Sequence, residues 1–165
     1  MSDFDEFASS RGPGLLRFAY LLTGDPHRAE DLVQEGLARA YARWSKIQHY
    51  DVPEAYVRKA VLHQYLSWRR RRSSTEVTVA HPPEPVVSGP SEADQIAARQ
   101  ALWQLLGTLP RMQRAVLVLR YFEDRGDDDI ANLLGCARAT VRVHAARGLQ
   151  RLRTALPATS HTLEV

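Results

Sequence analysis

A single cysteine leaves this chain nothing from which to build a disulfide framework, and Cys136 has neither an adjacent base nor a CxxC partner to make it a nucleophile or a redox centre. His27, His49, His63, His81, His144 and His161 are scattered without any spacing that would carry two of them to one metal ion. Neither metal nor other cofactor is implied, and catalysis is set aside. No apolar run approaches the roughly 20 residues that cross a bilayer. The opening MSDFDEFASS is acidic where a secretory signal would be basic and then apolar. The expectation is a cytoplasmic protein without membrane insertion, and the lone thiol suits a reducing compartment. Nowhere do apolar residues alternate over the length of a strand, so the fold class expected is all-α.

What is present is a hydrophobic fraction of 44% with three tryptophans, enough for real cores in 165 residues, and arginine in clusters. The formal net charge is only +3, yet Arg69 to Arg72 form an unbroken run and arginines recur from Arg138 to Arg153. Local patches of this kind govern contact with polyanions more than the total does.

The second cluster lies in DDDIANLLGCARATVRVHAARGLQRLR, residues 127–153, which reads as helix, tight turn and basic helix. Ile130, Leu133 and Leu134 recur at helical spacing, and Gly135 stands where a chain turns left-handed to stop. Ala131 is small enough for a second helix to cross closely. Val141, Ala145, Leu149 and Leu152 then form one apolar stripe, which leaves Ala139, Val143, Ala146 and Gln150 facing out between Arg138, Arg142 and Arg147. A narrow helix face bounded by guanidinium groups suits a DNA major groove. An ordinary helical hairpin with solvated arginines fits the same residues.

From the start, Asp3 to Ser10 reads as a short helix with Phe4 and Phe7 on one side, and Gly12-Pro13 restarts the chain into a second helix ended by Thr23-Gly24. Asp25 before Pro26 is a strong start for a helix to about Ile47. Its stripe is Leu32 or Val33, Leu37, Ala40, Tyr41, Trp44 and Ile47, with Asp31, Gln34, Glu35 and Ala38 pointing elsewhere. That polar strip suits solvent or a seat for another helix. Asp51 and Pro53 start a third long helix to about Arg72, apolar on more than one face and so pressed from two sides. Its rings and cations, among them Arg58, Lys59, His63, Trp68, Arg69, Arg70, Arg71 and Arg72, are the ingredients of single-strand capture. The residues alone favour the plainer alternative of core aromatics and a soluble, dipole-matched helix end.

Residues 73–90, SSTEVTVAHPPEPVVSGP, carry several prolines and no helical period, and read as a flexible linker between two small domains, 1–72 and 91–156. Ser91 with Asp94 resembles a capping box for a helix whose inner side would hold Ile96, Ala97, Ala101, Leu102, Leu105 and Leu106. Leu109-Pro110 starts another, apolar at Ala115, Val116, Leu117, Leu119, Tyr121 and Phe122. Residues 157–165 form a tail without structural signal, expected to be disordered.

In this order, LLRFAYLLTGDPHRAEDLVQEGLARAYARW (15–44), PEAYVRKAVLHQYLSWRRRR (53–72) and LWQLLGTLPRMQRAVLVLRYFED (102–124) leading into the basic helix pair resemble a bacterial RNA polymerase sigma factor of the extracytoplasmic-function (ECF) group, the SigE-type branch in particular. The resemblance covers nearly the whole chain to Leu156. It implies a sigma region 2-like first domain that docks on core RNA polymerase through the helix bearing Asp31, Gln34, Glu35 and Ala38, against a coiled coil of the largest subunit. The third helix would hold the melted minus-ten element with Arg58, Lys59, His63, Trp68 and Arg69 to Arg72. A region 4-like second domain would read the minus-thirty-five element as duplex through Arg138, Ala139, Thr140, Arg142, Val143 and Arg147, with the polymerase flap as a further contact. Promoter DNA and core polymerase are the partners implied, and an anti-sigma protein is common in the group.

The departures carry expectations of their own. His63 stands where family members usually have Asn, so minus-ten preference should differ. Ala137, Arg138, Ala139 and Thr140 replace a pattern with a Ser cap, whose loss costs about 1 kcal/mol. Val143 replaces a polar residue and can touch a thymine methyl but cannot hydrogen-bond. Gly126-Asp127-Asp128-Asp129 replaces a Leu-Ser start and sets three acids near DNA phosphates, although acids suit a helix N-terminus. Two functions follow: a promoter-specificity factor without catalysis of its own, or a sigma-like polymerase-binding regulator with weak promoter readout.

Overall fold

A computed structural model describes residues 2–49, 53–71 and 92–155, apart from the side chains at 68–71, 92 and 99. Among them all regular structure is helical, and the chain divides into two units, Met1–Pro83 and Glu84–Val165. The expected linker, the tail, Asp51, Arg72 and the Ser91 cap lie outside the described residues.

The first unit opens with α1, Asp3–Thr23. Ser2 caps it reciprocally: its hydroxyl oxygen accepts from the Asp5 N–H at 3.2 Å, while the Asp5 carboxylate accepts from the Ser2 N–H at 3.2 Å. The break expected at Gly12-Pro13 does not occur, and Pro13 lies inside one continuous helix. Proline there removes a donor and crowds the carbonyl four residues back. Packing on both sides of the proline outweighs that cost. Before it, Phe4 and Phe7 meet Trp44 at centroid distances of 5.4 and 5.2 Å, and Phe4 meets Tyr41 at 5.1 Å. After it, Leu15, Phe18, Ala19 and Leu22 are buried in the core.

Gly24, at φ 70°, closes α1, and Asp25 caps α2, Pro26–Ala42, accepting from the His27 N–H at 2.9 Å and the Arg28 N–H at 3.3 Å. The helix expected to reach Ile47 instead breaks at Arg43, where φ is −117°, and α3, Trp44–Ile47, follows. Leu32, Val33, Ala40 and Ile47 are buried, but Tyr41 is 66% exposed and Gly36 takes the buried place between. The third long helix, α4, spans Pro53–Arg71. It packs against both α1 and α2, burying Val57, Val61, Leu62 and Tyr65, each large side chain worth roughly 1.5–3 kcal/mol.

In the second unit α5 is Glu92–Gly107 and α6 is Arg111–Leu117. Of the six residues expected on the inner side of α5, Leu106 is buried, Ile96 and Leu105 are half-buried, and Ala97, Ala101 and Leu102 are exposed. Trp103 turns in instead, with the Arg114 guanidinium carbon 5.7 Å from its ring centre. After α6 the chain widens into a π-helical turn at Val118–Phe122, where the Glu123 N–H donates to the Val118 carbonyl at 3.1 Å. Ala115 to Leu119 are buried, whereas Tyr121 and Phe122, expected inside, are exposed. Two further helices follow, α7 (Asp127–Leu134) and α8 (Arg138–Ala155), and α8 packs on α5, α6 and α7.

Both units use glycine where helices cross. A methyl on Gly36 would lie 3.1 Å from Val57 Cγ1, and one on Gly148 would lie 2.9 Å from Leu117 Cδ1. Gly36→Leu should therefore destabilise the first unit by about 1–3 kcal/mol through overpacking. Urea unfolding of the full chain, with hydrogen exchange of α2 and α4 to localise the loss, measures it.

Candidate nucleic-acid interface

Three acids, Asp127, Asp128 and Asp129, occupy the first turn of α7, where the helix dipole favours them. Gly135, at φ 68°, supplies the left-handed corner, and the Cys136 N–H donates to the Ala131 carbonyl at 3.1 Å. Ile130 and Ala131 are buried, as are Val141, Ala145 and Gly148 of α8. Seated this way, α8 leaves Ala139, Val143, Ala146 and Gln150 exposed, with Arg138, Arg142 and Arg147 exposed around them and Thr140 half-buried. Ala137 gives α8 only its carbonyl, which accepts from the Val141 N–H at 3.2 Å.

The acids do more than end a helix. Asp127 accepts from Arg120 of the π-helical turn through one oxygen and from Arg142 Nε at 3.4 Å through the other. Arg138 reaches Asp128 at 3.5 Å across an exposed surface, a pairing of little energetic weight. Arg120 above all, with Arg142 beside it, holds the Asp127 carboxyl below the usual carboxylate range, and the Asp127 hydrogen bond raises Arg120 in turn. Burial pushes the Cys136 thiol up, against any thiolate chemistry. His144 is half-buried, its Nδ1 is without a hydrogen-bond partner, and burial, followed by the Arg147 charge, pushes it down from its ordinary 6.5.

The first unit sorts its candidate residues unevenly. On α2, Asp31, Gln34 and Ala38 are exposed, but Glu35 is half-buried, accepting from Arg39 at 2.9 Å and from Gln64 of α4. On α4, Lys59 and His63 are exposed one turn apart. Arg58 is not with them. Its side chain is 14% exposed, donates to Glu54 through Nε at 3.1 Å and a terminal nitrogen at 2.8 Å, and lies 5.1 Å over the Phe18 ring. Val57 precedes it and Lys59 follows, and Phe18 and Gly14 of α1 lie against its side chain. The backbone of Trp68, Arg69, Arg70 and Arg71 continues α4, while their side chains, and Arg72 altogether, lie outside the described residues.

An all-helical pair of units, one ending in a tight-cornered helix pair with a cationic outer face, defines a helix-turn-helix nucleic-acid-binding protein. Family comparison resolves the class further: residues 7–75 match Sigma-70 region 2 and residues 99–152 match Sigma-70, region 4. The chain is 36% identical to the RNA polymerase sigma-E factor of Streptomyces coelicolor over 94% of its own length and 87% of the relative's. It is 30% identical to the ECF RNA polymerase sigma factor SigL of Mycobacterium tuberculosis, covering 93% of this chain and 86% of that one. Among solved structures, the sigma factor RpoE from Bartonella quintana, crystallised with the anti-sigma factor NepR, aligns with a TM-score of 0.68 at 26% identity over 93% of this chain and 96% of that chain. The chain therefore belongs to the sigma-70 family of RNA polymerase sigma factors, within the ECF group and of the SigE type. Its function is that of an initiation factor, joining core polymerase and directing it to promoters.

Two measurements follow from this geometry. Ala137→Ser should restore a side-chain cap and stabilise α8 by about 0.5–1 kcal/mol, read as slower hydrogen exchange at residues 138–141. His144, depressed when folded, imposes no cost above pH 6.5, where it is neutral in both states; as pH falls below 6.5 the unfolded chain takes up the proton first and stability drops. Urea unfolding at pH 7.5 and pH 5.5 should show that drop in the parent and a smaller one in His144→Gln.

Proposed function

We propose that the two units divide the promoter between a duplex and a melted segment. The observation that carries the reading is the outer face of α8, which is exposed from Ala139 to Gln150 and framed by arginines while its opposite stripe is buried. In the minus-thirty-five duplex, Arg142 and Arg147 would take guanine edges or phosphates, Arg138 a phosphate, Ala139 and Thr140 the close approach, and Val143 a thymine methyl. Lys59 and His63, exposed on α4, would hold the minus-ten strand through stacking and charge together with Trp68 and Arg69 to Arg72 further along the sequence. Arg58 serves the fold in this reading, joining α4 to α1.

Asp31, Gln34 and Ala38 would form the polymerase-facing strip of α2, with Glu35 bracing it from behind through Gln64. The acting domains in this reading are residues 1–72 and 91–156, with 73–90 joining them. The protein works in the cytoplasm and carries no catalytic step, a view supported by the raised Cys136 thiol and the family's role as initiation factors. The anti-sigma factor bound to the Bartonella relative supports a protein inhibitor of that class as a regulatory partner.

A second reading, occupancy of polymerase with poor promoter readout, draws on the acids beside Arg138 and Arg142. In vitro transcription with core polymerase on fragmented genomic DNA separates the two: discrete starts sharing an upstream motif support promoter reading, and stable core binding without transcripts supports the second. The Arg142→Ala/Arg147→Ala variant should lose promoter-duplex affinity and shift the slope of log affinity against log salt by up to about 2. Unchanged binding, measured by fluorescence anisotropy across a salt series, would remove α8 from the assignment.

A further inference from the structure

Arg142 does not stand on α8 as a free charge. Its Nε donates to Asp127, the other oxygen of the same carboxylate takes Arg120, and the three side chains tie the π-helical turn, the start of α7 and the outer face of α8 into one chain of charge-assisted contacts. Arg120 and Asp127 are largely covered, their side chains 27% and 17% exposed, while Arg142 is 62% exposed. The anchor is inside and the tip is in solvent. Because Asp127 engages Nε, both terminal amino groups of Arg142 remain available for a two-pronged approach to a guanine edge or a phosphate.

Charge arithmetic decides what the acid does. A carboxylate acting as an internal substitute for phosphate would cancel the arginine it holds. Here one negative group is shared between two guanidiniums, so the trio keeps a net positive charge, and its exposed member is the one on the DNA-facing helix. The Asp128–Arg138 pair offers a contrast within the same unit, one acid to one base, both exposed, with no third charged partner among the described residues.

We infer that Asp127 is a positioning residue for promoter readout, holding Arg142 through Nε so that its terminal amino groups are already aimed when α8 enters the groove. This rests on the reading that Arg142 contacts duplex DNA. Ordering a long side chain before binding lowers the entropy lost at the interface, and the gain goes to the sequence where Arg142 meets its partner rather than to every duplex alike. The acid thus improves discrimination, although it adds negative charge near a polyanion.

The test uses the full chain and two duplexes, one selected by the protein from a random pool and one of the same composition with scrambled order. Asp127→Asn should bind the selected duplex about tenfold more weakly while the scrambled duplex changes less than about twofold, the size of losing one well-placed base contact. Placed on Arg142→Ala, it should cost nothing further. Equal tightening on both duplexes, or no change on either, would overturn the inference. Arg142→Ala binding like the parent would instead defeat the assignment of Arg142 to DNA. Should Asp127→Asn fail to fold, nitrogen-15 relaxation of arginine Nε in the unmodified protein decides the matter: Arg142 should be markedly more ordered than Arg147, and equal mobility would defeat the proposal.

Discussion

Close helix crossing is the constraint on which both units depend. Units of this size bury little more than about 60% of the surface their unfolded chains expose. Long helices must therefore approach until their side chains interdigitate without gaps. Gly36 lets α2 settle against Val57 and Val61, and Gly148 lets α8 settle against Leu117. The faces proposed for polymerase and DNA lie away from those two contacts: Asp31, Gln34 and Ala38 are turned outward because Gly36 is inward, and the arginine-framed face of α8 is outward because Val141, Ala145 and Gly148 are not.

Charge is distributed by the same logic. Where a long cation meets an apolar neighbour on a covered face, the fold draws it inward and supplies a carboxylate, as with Arg58, Glu54 and the Phe18 ring. Where the helix face is open, the cation stays in solvent. The division explains why a count of basic residues along α4 overstates its cationic surface, and why the mildly positive total says little about either unit. Glu35 lies between the two cases, its side chain 43% exposed and held between Arg39 and Gln64.

Much of the helical framework was legible in the sequence because it is written in local chemistry. Asp25-Pro26, Thr23-Gly24 and Gly135 each act within a few residues, and the stripe of α8 repeats at helical spacing. Tertiary competition was not legible. Pro13 carries a local stop signal that is overridden by aromatic packing brought from Tyr41 and Trp44. Tyr121 and Phe122 match an apolar stripe only if the helix keeps its pitch, and the π turn changes that pitch. Of the candidate site, the outward face of α8 could be read from periodicity. The inward turn of Arg58, the Glu35–Gln64 contact, and the sharing of Asp127 between Arg120 and Arg142 join residues whose proximity only folding reveals. Gly36 carried its own signal in its place among the apolar positions of α2, since a glycine mid-helix forgoes propensity for a packing reason.

The widened turn at Val118–Phe122 also bears on how such a unit tolerates change in length. A π turn holds one residue more than an α turn, so it stands in the chain as an absorbed insertion, and each residue of an α-helix advances the side chains by about 100°. Removing one residue from that turn would let it close to α pitch with the flanking residues still in place, whereas removing one from regular α-helix would rotate whatever follows by roughly that angle. The extra residue of the turn is thus slack, which the unit can give up without re-aiming the helices that follow.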